Sequence, residues 1–362
     1  MDGYLGIDVG SVSTKLVLID EDRVPRFSRY ARTNGRPVEA IQSSFRAFAE
    51  AHGSSIRILG VGATGSGRHL AGLMVGADEV RTEITTHATA AKHACPEVGT
   101  VIDIGGQDSK VIHIRHGVST GFNMNTVCAA GTGSFLDHQA TRLGIPIEEF
   151  GEYALRSHAP LKIAGRCGVF AESDLIHKQQ LGYPPEDLIA GLCISLARNF
   201  LQNVARDAQG RKLHPVILFQ GGVAANVGIR AAFEHLLGQP LVVPEHFTVM
   251  GAWGAALLAQ RRHHRGGETT RFHGAERISS FACHPRSFTC DDCSNHCEIS
   301  ELIIDGDLVS RWGSRCAKWE NLNICSADRH EEVEPPLVRN ICEHMNEILT
   351  HQSVIRDTTK VG

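Results

Sequence analysis

A pattern of twelve residues occurs twice in the chain, at 8–19 and again 95 residues later at 103–114. Apolar residues flank each copy, and each has the pattern of a strand, a tight turn and a second strand, which predicts a repeated β-hairpin. Two unrelated hairpins are the alternative, because turns with an aspartate and a glycine are common. The four identical pairs are Asp8 and Asp103, Gly10 and Gly105, Lys15 and Lys110, and Ile19 and Ile114.

Helical and extended patterns alternate through the first 260 residues. Residues 37–52 place three apolar side chains on one helix face, and residues 185–207 carry apolar side chains at spacings of four. Alternation on this scale predicts an α/β protein. Further strands are predicted at 56–61 and 215–219, and further helices at about 133–143 and 251–259.

The charge balance argues against one class of function. The 362 residues include 36 Lys and Arg against 40 Asp and Glu, a formal charge of −4, so no net basic field attracts nucleic acid. No apolar run approaches the roughly 20 residues that span a bilayer. The start of the chain, MDGYLGIDVG, lacks the basic region of a signal peptide. We therefore expect a cytoplasmic protein with no nucleic-acid or membrane partner.

Three glycine turns follow apolar strands, at 10–14, 105–108 and 221–224. Glycines at strand ends let backbone N–H groups approach a phosphate closely, because no Cβ intervenes. Asp8 and Asp103 precede the first two turns, and carboxylates in such places suit Mg²⁺. Lys15 and Lys110 either assist phosphate binding or are solvated. None of the turns matches the P-loop or the dinucleotide fingerprint.

This arrangement resembles the actin-like ATPase superfamily, in which two duplicated RNase-H-like lobes close on ATP. The resemblance implies that GIDVGSVSTK and DIGGQDSK bind phosphate and that GGVAAN binds adenosine. It also implies that Asp8 and Asp103 organise Mg²⁺ and that Gln107 orients the attacking water. The implied nucleotide-binding residues are Gly10, Ser11, Ser13, Thr14, Lys15, Gly105, Gly106, Gly131, Gly133, Gly221, Gly222, Ala224 and Asn226.

Two cysteines carry a more specific signal, Cys128 in NTVCAAGTGSF and Cys167 in GRCGVFAESDL. Each precedes a predicted helix start, where unpaired N–H groups and the helix dipole favour a thiolate or an anionic cluster. Two thiolates cannot supply the four ligands of a [4Fe–4S] cluster, but a two-fold dimer can if the pair lies on its axis. Two buried, unreactive thiols are the alternative.

With these cysteines included, residues 3–260 resemble the activators of 2-hydroxyacyl-CoA dehydratases, the BadF/BadG/BcrA/BcrD ATPase family. The matching motifs include VIDIGGQDSKVI, NTVCAAGTGSFLD, CGVFAESD and GAWGAALLA. The resemblance implies a homodimer with one [4Fe–4S] cluster bridged by Cys128 and Cys167 of both subunits. It implies that ATP hydrolysis to ADP drives a low-potential electron from ferredoxin or flavodoxin to an Fe–S dehydratase or a benzoyl-CoA-reductase-like partner.

The resemblance also implies a division of the chain into a first lobe at 1–115, a second lobe with the cysteine-bearing helices at 116–260, and a cysteine-rich extension at 268–362. The polar, glycine-rich stretch 261–267 separates the extension, and seven of the eleven cysteines follow residue 280.

The extension contains Cys290-x2-Cys293-x3-Cys297, followed by Cys316, a spacing that suits a second Fe–S cluster or zinc. It resembles a segment of longer fused relatives of the activators. Two other functions stay open at this stage. One is a small-molecule kinase of the same fold, such as an amino-sugar kinase, which needs no thiolate pair. The other is a nucleotide-gated scaffold whose tail binds only zinc.

Overall fold

The computed structural model describes residues 1–53, 55–125, 131–165, 167–205, 213–266, 269–316 and 318–319. Strands and helices alternate in the first part of the chain, as predicted for an α/β protein. The strands are β1 Asp2–Val9, β2 Ser13–Ile19, β3 Pro25–Arg32, β4 Arg57–Thr64, β5 Glu79–Val80, β6 Thr100–Ile104, β7 Ser109–Arg115, β8 Val118–Met124, β9 Ile217–Gln220, β10 Cys283–Thr289, β11 Glu298–Ile304 and β12 Asp307–Trp312. The helices are α1 Pro37–His52, α2 Arg68–Val75, α3 Glu83–Ala94, α4 Gly133–Leu143, α5 Ile147–Leu155, α6 Gly168–Gln180, α7 Pro185–Asn203, α8 Val227–Leu237, α9 Met250–His264 and α10 Ala275–Ser280.

The two copies of the twelve-residue pattern form equivalent hairpins in two separate mixed sheets. The first sheet has the order β3-β2-β1-β4-β5 and the second the order β8-β7-β6-β9. In each, an antiparallel group of three strands is continued by a strand parallel to the first strand of the hairpin. Asp8 pairs with Lys15 across the first hairpin and Asp103 with Lys110 across the second, so the predicted hairpins are confirmed.

The lobe boundary predicted at residue 115 is wrong, because it separates two hydrogen-bonded strands. Arg115 of β7 pairs with Val118 of β8 in the second sheet, and the chain passes from one sheet to the other through α3. Residues 116–260 do not form a lobe either, since α9 packs on the first sheet. A Cβ at Gly6 would lie 1.9 Å from the Ala252 carbonyl oxygen, so this glycine permits the close approach.

Helices α3 and α9 form a layer that belongs to the core of both sheets. One buried cluster joins Val17 of the first sheet and Ile112 of the second to Ala91 of α3 and Trp253 of α9. A second buried cluster joins the second sheet to α4, α5, α6, α7 and α8. The carboxyl ends of β1 and β6 therefore lie near α3.

The extension predicted to begin at residue 268 begins later. Two compact units make up the chain, Met1–Phe281 and Ala282–Gly362. Residues 269–281, here called the strap, belong to the first unit. The Asp78 carboxylate accepts hydrogen bonds from the Thr270 hydroxyl at 2.7 Å and the Arg271 N–H at 3.0 Å, and α10 packs on α1. Phe272 lies 6.0 Å from Phe45, measured between ring centroids.

The second unit has an antiparallel sheet of β10, β11 and β12, with Ile299 and Leu302 buried. The Arg311 guanidinium lies 5.1 Å from the centroid of the Trp319 ring. In neither unit does a described helix have the length and apolar character needed to cross a membrane.

The strap predicts where the chain can be shortened. A chain ending at Phe281 keeps the stability of the first unit, whereas one ending at Gly266, just after α9, loses the buried side chains of Ile278 and Phe281 and the bonds to Asp78. Loss of one large buried side chain costs about 2–5 kcal/mol, so we expect a deficit of at least that size in urea unfolding. Equal stability of the two shortened chains would contradict this role for the strap.

Candidate functional site

A cavity of about 540 Å³ lies where the two sheet ends face each other. It gathers the glycine turns that are far apart in sequence, together with the carboxylates that precede two of them. The predicted site residues that line it are Asp8, Gly10, Ser11, Ser13, Lys15, Asp103, Gly105, Gly106, Gln107, Gly133, Gly221, Gly222 and Asn226. Among these lining residues, Gln107 is exposed.

Three predicted binding residues do not line the cavity. Thr14 is fully buried behind its turn, where its hydroxyl lies 3.1 Å from that of Thr33. Ala224 is buried in the short 3₁₀ helix Gly222–Ala225, and its neighbour Ala225 lines the cavity instead. Gly131 faces α7: a Cβ at this position would lie 4.0 Å from Cδ2 of Leu196.

Sequence reasoning missed the contribution of α3, whose Glu83 and His87 line the cavity. Asp108, Arg32 and Thr248 were also missed. The one signal for α3 in the sequence was His87 in a segment of mostly small residues. A single histidine is weak evidence for a site. Its significance depends on the position of α3 between the sheets.

Both lysines are ion-pair partners, Lys110 buried and Lys15 partly buried. Lys15 Nζ lies 3.1 Å from Asp8 Oδ2. Lys110 has a side chain that is 4% exposed, and its Nζ lies 2.7 Å from Glu83, 2.9 Å from Asp108 and 3.4 Å from Asp103. Burial opposes the charged form of Lys110, but these three carboxylates outweigh it and raise the pKa of Lys110 well above its usual value.

Asp103 is held ionised in the same network. Burial alone would raise its pKa, but the nearby His87, Lys110 and Lys15 outweigh burial and lower the pKa of Asp103 to about 2. One side-chain amide also supports the carboxylate, since Gln220 Nε2 donates to Asp103 Oδ1 over 3.4 Å. The carboxylate is therefore available as an anionic ligand at any physiological pH.

The charges around the cavity favour a divalent cation. The carboxylates of Asp8, Glu83, Asp103 and Asp108 outnumber the two lysines that they contact. A bare polyphosphate entering this site would be repelled by the excess of negative charge, whereas a bound Mg²⁺ would neutralise both. The oxygen-rich donor set is the kind that Mg²⁺ prefers.

The cavity wall also fits a nucleotide. A Cβ at Gly222 would meet no atom within 4 Å, so the wall is open where a ligand would approach the backbone. Asn226 caps α8 through its Oδ1, which accepts from the Ile229 N–H at 3.0 Å, while its buried Nδ2 has no hydrogen-bond partner. A buried donor without a partner is costly, and a ligand oxygen or ring nitrogen would satisfy it.

Cys167 is confirmed at a helix start. It is the N-cap residue of α6 and is partly exposed. Val169 and Phe170 follow it with 69% and 68% of their surfaces exposed. Its predicted partner Cys128 lies outside the described residues.

In the second unit, Cys290 is buried and its sulfur accepts a hydrogen bond from the Trp319 indole N–H at 3.3 Å. Cys293 and Cys316 are exposed, and Cys297 is partly exposed. Among the residues that the structure describes, no group of three or more His, Cys, Asp or Glu side chains has the arrangement of a metal site.

Comparison with known proteins decides the family. Residues 5–259 match the model of the BadF/BadG/BcrA/BcrD ATPase family. The chain belongs to this family. It is 37% identical over 260 residues to the (R)-2-hydroxyglutaryl-CoA dehydratase activating ATPase of Acidaminococcus fermentans, and the match covers 71% of this chain and 97% of the relative.

Two other family members are similar at lower identity. The activator of the 2-hydroxyisocaproyl-CoA dehydratase from Clostridium difficile, solved with bound ADPNP, superposes with a TM-score of 0.66 at 31% identity, covering 73% of this chain and 96% of that one. A subunit of the benzoyl-CoA reductase of Thauera aromatica is 30% identical over 72% of this chain and 94% of its own length. The kinase alternative is not favoured by these matches.

The buried charge of Asp103 predicts an acid-sensitive contribution to stability. The folded pKa of about 2 lies below the ordinary value of 3.8, and at about 1.4 kcal/mol per unit this gives about 2 kcal/mol at neutral pH. Because a lowered pKa stabilises only above the unfolded value, the contribution is lost as pH falls from about 4 through 2. We expect D103N to be less stable at pH 7 and the deficit to narrow below pH 4 in calorimetry. A deficit independent of pH would contradict this, and D22N in an exposed loop is the control.

Substitutions at two adjacent glycines are expected to affect folding and ligand binding separately. Gly221 has φ +87°, and a Cβ there would lie 2.3 Å from the Ile104 carbonyl oxygen, so G221A lowers the thermal stability of the free protein. Because a Cβ at Gly222 meets only the cavity, G222A keeps that stability and weakens ADPNP binding by about 10-fold or more, measured by calorimetric titration. Unchanged nucleotide affinity in G222A would mean that the ligand does not approach this wall.

Proposed function

We propose that the chain is an ATP-dependent activator that passes a low-potential electron through a cluster shared by two subunits to an Fe–S dehydratase or a benzoyl-CoA-reductase-like partner. Ferredoxin or flavodoxin is the proposed donor. The names of the relatives support the activator function, since they include activators of two 2-hydroxyacyl-CoA dehydratases and one component of a benzoyl-CoA reductase. The shared strand order of the two sheets supports duplicated RNase-H-like lobes.

In this proposal the cavity binds Mg²⁺ and ATP. Asp8 and Asp103 hold the cation through their buried carboxylates, and the turns around Gly10 and Gly105 donate N–H groups to phosphate oxygens. Asn226 Nδ2 donates to the nucleoside. Gln107, exposed at the mouth of the cavity, orients the attacking water. The bound Mg²⁺ would neutralise charge on the phosphates as ATP is hydrolysed to ADP.

One observation carries the proposal: the second phosphate turn is bonded directly to the helix that follows Cys128. The first two N–H groups of α4, those of Gly133 and Ser134, donate to the carbonyl oxygens of Gly105 and Gly106, each over 2.9 Å. A change in that turn on nucleotide binding or hydrolysis therefore acts on the start of α4. No intervening side chain is needed, because the bonds join backbone to backbone.

Helix α4 is in turn joined to α6, the helix that follows Cys167. Arg142 Nη1 donates to Gln179 Oε1 over 2.9 Å, and His138 Nδ1 lies 3.7 Å from Glu172 Oε1. These two contacts couple the helix that follows Cys128 to the helix that follows Cys167 in this proposal. In this way nucleotide state reaches both cysteine segments through elements that the structure describes.

The described surroundings of the cysteines fit a shared cluster. Gly131, which follows the Cys128 segment, faces Leu196 of α7. Gly165, two residues before Cys167, faces Ser195, the residue next to Leu196 on the same helix. The N-terminal N–H groups of α6 favour an anionic cluster beside Cys167. Two such thiolates from each protomer supply the four ligands of a [4Fe–4S] cluster, which when bound supplies one-electron transfer. The cluster therefore requires a homodimer.

The decisive experiment counts iron and sulfide in the full-length protein purified without oxygen. We expect four iron atoms per dimer from the bridging cluster, an EPR signal on reduction, and loss of both in C128A and C167A. C95A is the matched control, since Cys95 at the end of α3 has no proposed ligand function. C293A separately tests the tail, where Cys290, Cys293, Cys297 and Cys316 remain candidates for a second Fe–S cluster or zinc.

Each outcome has a definite meaning. Iron that is lost only in C293A would assign the metal to the second unit and contradict the bridging cluster. An iron-free dimer that phosphorylates a sugar would contradict electron transfer altogether. Iron lost in C128A and C167A, with ATP-dependent reduction of a dehydratase partner, is the predicted result.

A further inference from the structure

Helix α3 contacts the two sheets at equivalent positions, through two adjacent residues. In the first sheet, Asp8 of β1 is opposite Thr64 of β4, and in the second, Asp103 of β6 is opposite Gln220 of β9. Thr64 and Gln220 therefore occupy the same place in the two sheets, each on the parallel strand beside an aspartate of the cavity.

Both of these residues hydrogen-bond to α3. The Thr64 hydroxyl lies 3.1 Å from the hydroxyl of Thr86. The Gln220 side-chain amide bonds to Nδ1 of His87, the next residue along the helix, and also donates to Asp103 Oδ1 over 3.4 Å. Thr64, Thr86 and Gln220 are fully buried and His87 nearly so.

His87 also lies near the aspartate of the first sheet. A Cβ built on Gly251 would be 2.6 Å from Asp8 Oδ2 and 3.2 Å from His87 Nε2, so both atoms border the same small space. On its other side, His87 Nδ1 lies 3.7 Å from Asp103 Oδ1. The imidazole is therefore placed between the two carboxylates that belong to different sheets.

A buried polar group has to find a partner, and this requirement makes the contacts specific in position. Thr86 and His87 are adjacent on one rigid helix. They can therefore keep their hydrogen bonds to both sheets only at one distance between the two sheet ends. Glu83, one turn earlier on α3, adds a third contact through its ion pair with Lys110 of the second sheet at 2.7 Å.

We propose that Thr86 and His87 form a polar strut that fixes the distance between Asp8 and Asp103, and that this distance sets the rate of nucleotide hydrolysis more than nucleotide affinity. Thr86 and His87 are positioning residues in this proposal, since they act through the two carboxylates. Affinity also depends on the glycine turns and on Asn226, which the strut does not contact, so loss of the strut lowers kcat by a larger factor than it raises the Kd of Mg·ADPNP. The proposal rests on the ATPase part of the proposed function and needs neither iron nor an electron acceptor.

The test compares substitutions that keep and that remove the hydrogen-bonding atom at each end of the strut. T86S keeps the hydroxyl, and H87N keeps an acceptor at the position of Nδ1, whereas T86V and H87L remove these atoms. T89V and H93N are controls on the same helix, where Thr89 is hydrogen-bonded within α3 and His93 packs against Trp253.

We expect T86V and H87L to lower kcat for ATP hydrolysis by about 10- to 100-fold, the cost of misplacing catalytic groups by about 1 Å. T86S and both controls stay within about threefold, and H87N, which keeps an acceptor at Nδ1 but has no atom at Nε2, falls between H87L and the unsubstituted protein. In all variants that keep a cooperative thermal transition, the Kd of Mg·ADPNP rises by a smaller factor than kcat falls. In the nucleotide-free protein, amide hydrogen exchange of residues 8–15 and 103–110 is faster in T86V and H87L.

Three results would overturn the strut. The first is an equal kcat for the variants that keep and that remove the polar atom. The second is a parallel loss of kcat and ADPNP affinity, which indicates a merely structural role. The third is unchanged amide exchange in T86V and H87L, a result that needs no hydrolysis. Absence of hydrolysis in the unsubstituted protein would instead contradict the proposed function, and the exchange experiment would still decide on the strut.

Discussion

Two buried carboxylates, Asp8 and Asp103, determine how the strands and turns around the cavity are arranged. Each lies at the end of a central strand and faces a lysine directly across its own hairpin. A buried carboxylate without a partner is strongly destabilising, so the hairpin register, the lysine and the glycine turn have to occur together. This requirement explains why the same spacing of Asp, Gly and Lys occurs in both hairpins.

The glycine turn after β6 connects the cavity to a neighbouring helix. The carbonyl oxygens of Gly105 and Gly106, in the turn after β6, accept hydrogen bonds from the first two N–H groups of α4. The helices α4 and α6 are then joined by side-chain contacts. The cavity is thus connected through short contacts to α6, whose N-cap residue is Cys167.

The hairpins, the helix at 37–52 and the glycine turns could be predicted because their signals are local: alternation, helical spacing and turn residues. The lobe boundaries could not, because they depend on where a distant helix packs. Gly6 and Gly62 leave the space in which α9 packs on the first sheet. Nothing near these glycines in the sequence indicates which helix packs there. Glu83 and His87 were missed for the same reason, since only the tertiary position of α3 brings them to the cavity. Thr14 was wrongly placed at the cavity because a turn motif does not tell which side chains face inward.

In the proposed function, the state of the cavity is transmitted through α4 to the segment around Cys167. Hydrogen exchange of the full-length protein with and without Mg·ADPNP tests it directly, read peptide by peptide. We expect exchange to slow not only in the turns at 10–14 and 105–108 but also in residues 133–143 and 168–180. Protection confined to the glycine turns, with unchanged exchange in α4 and α6, would contradict it.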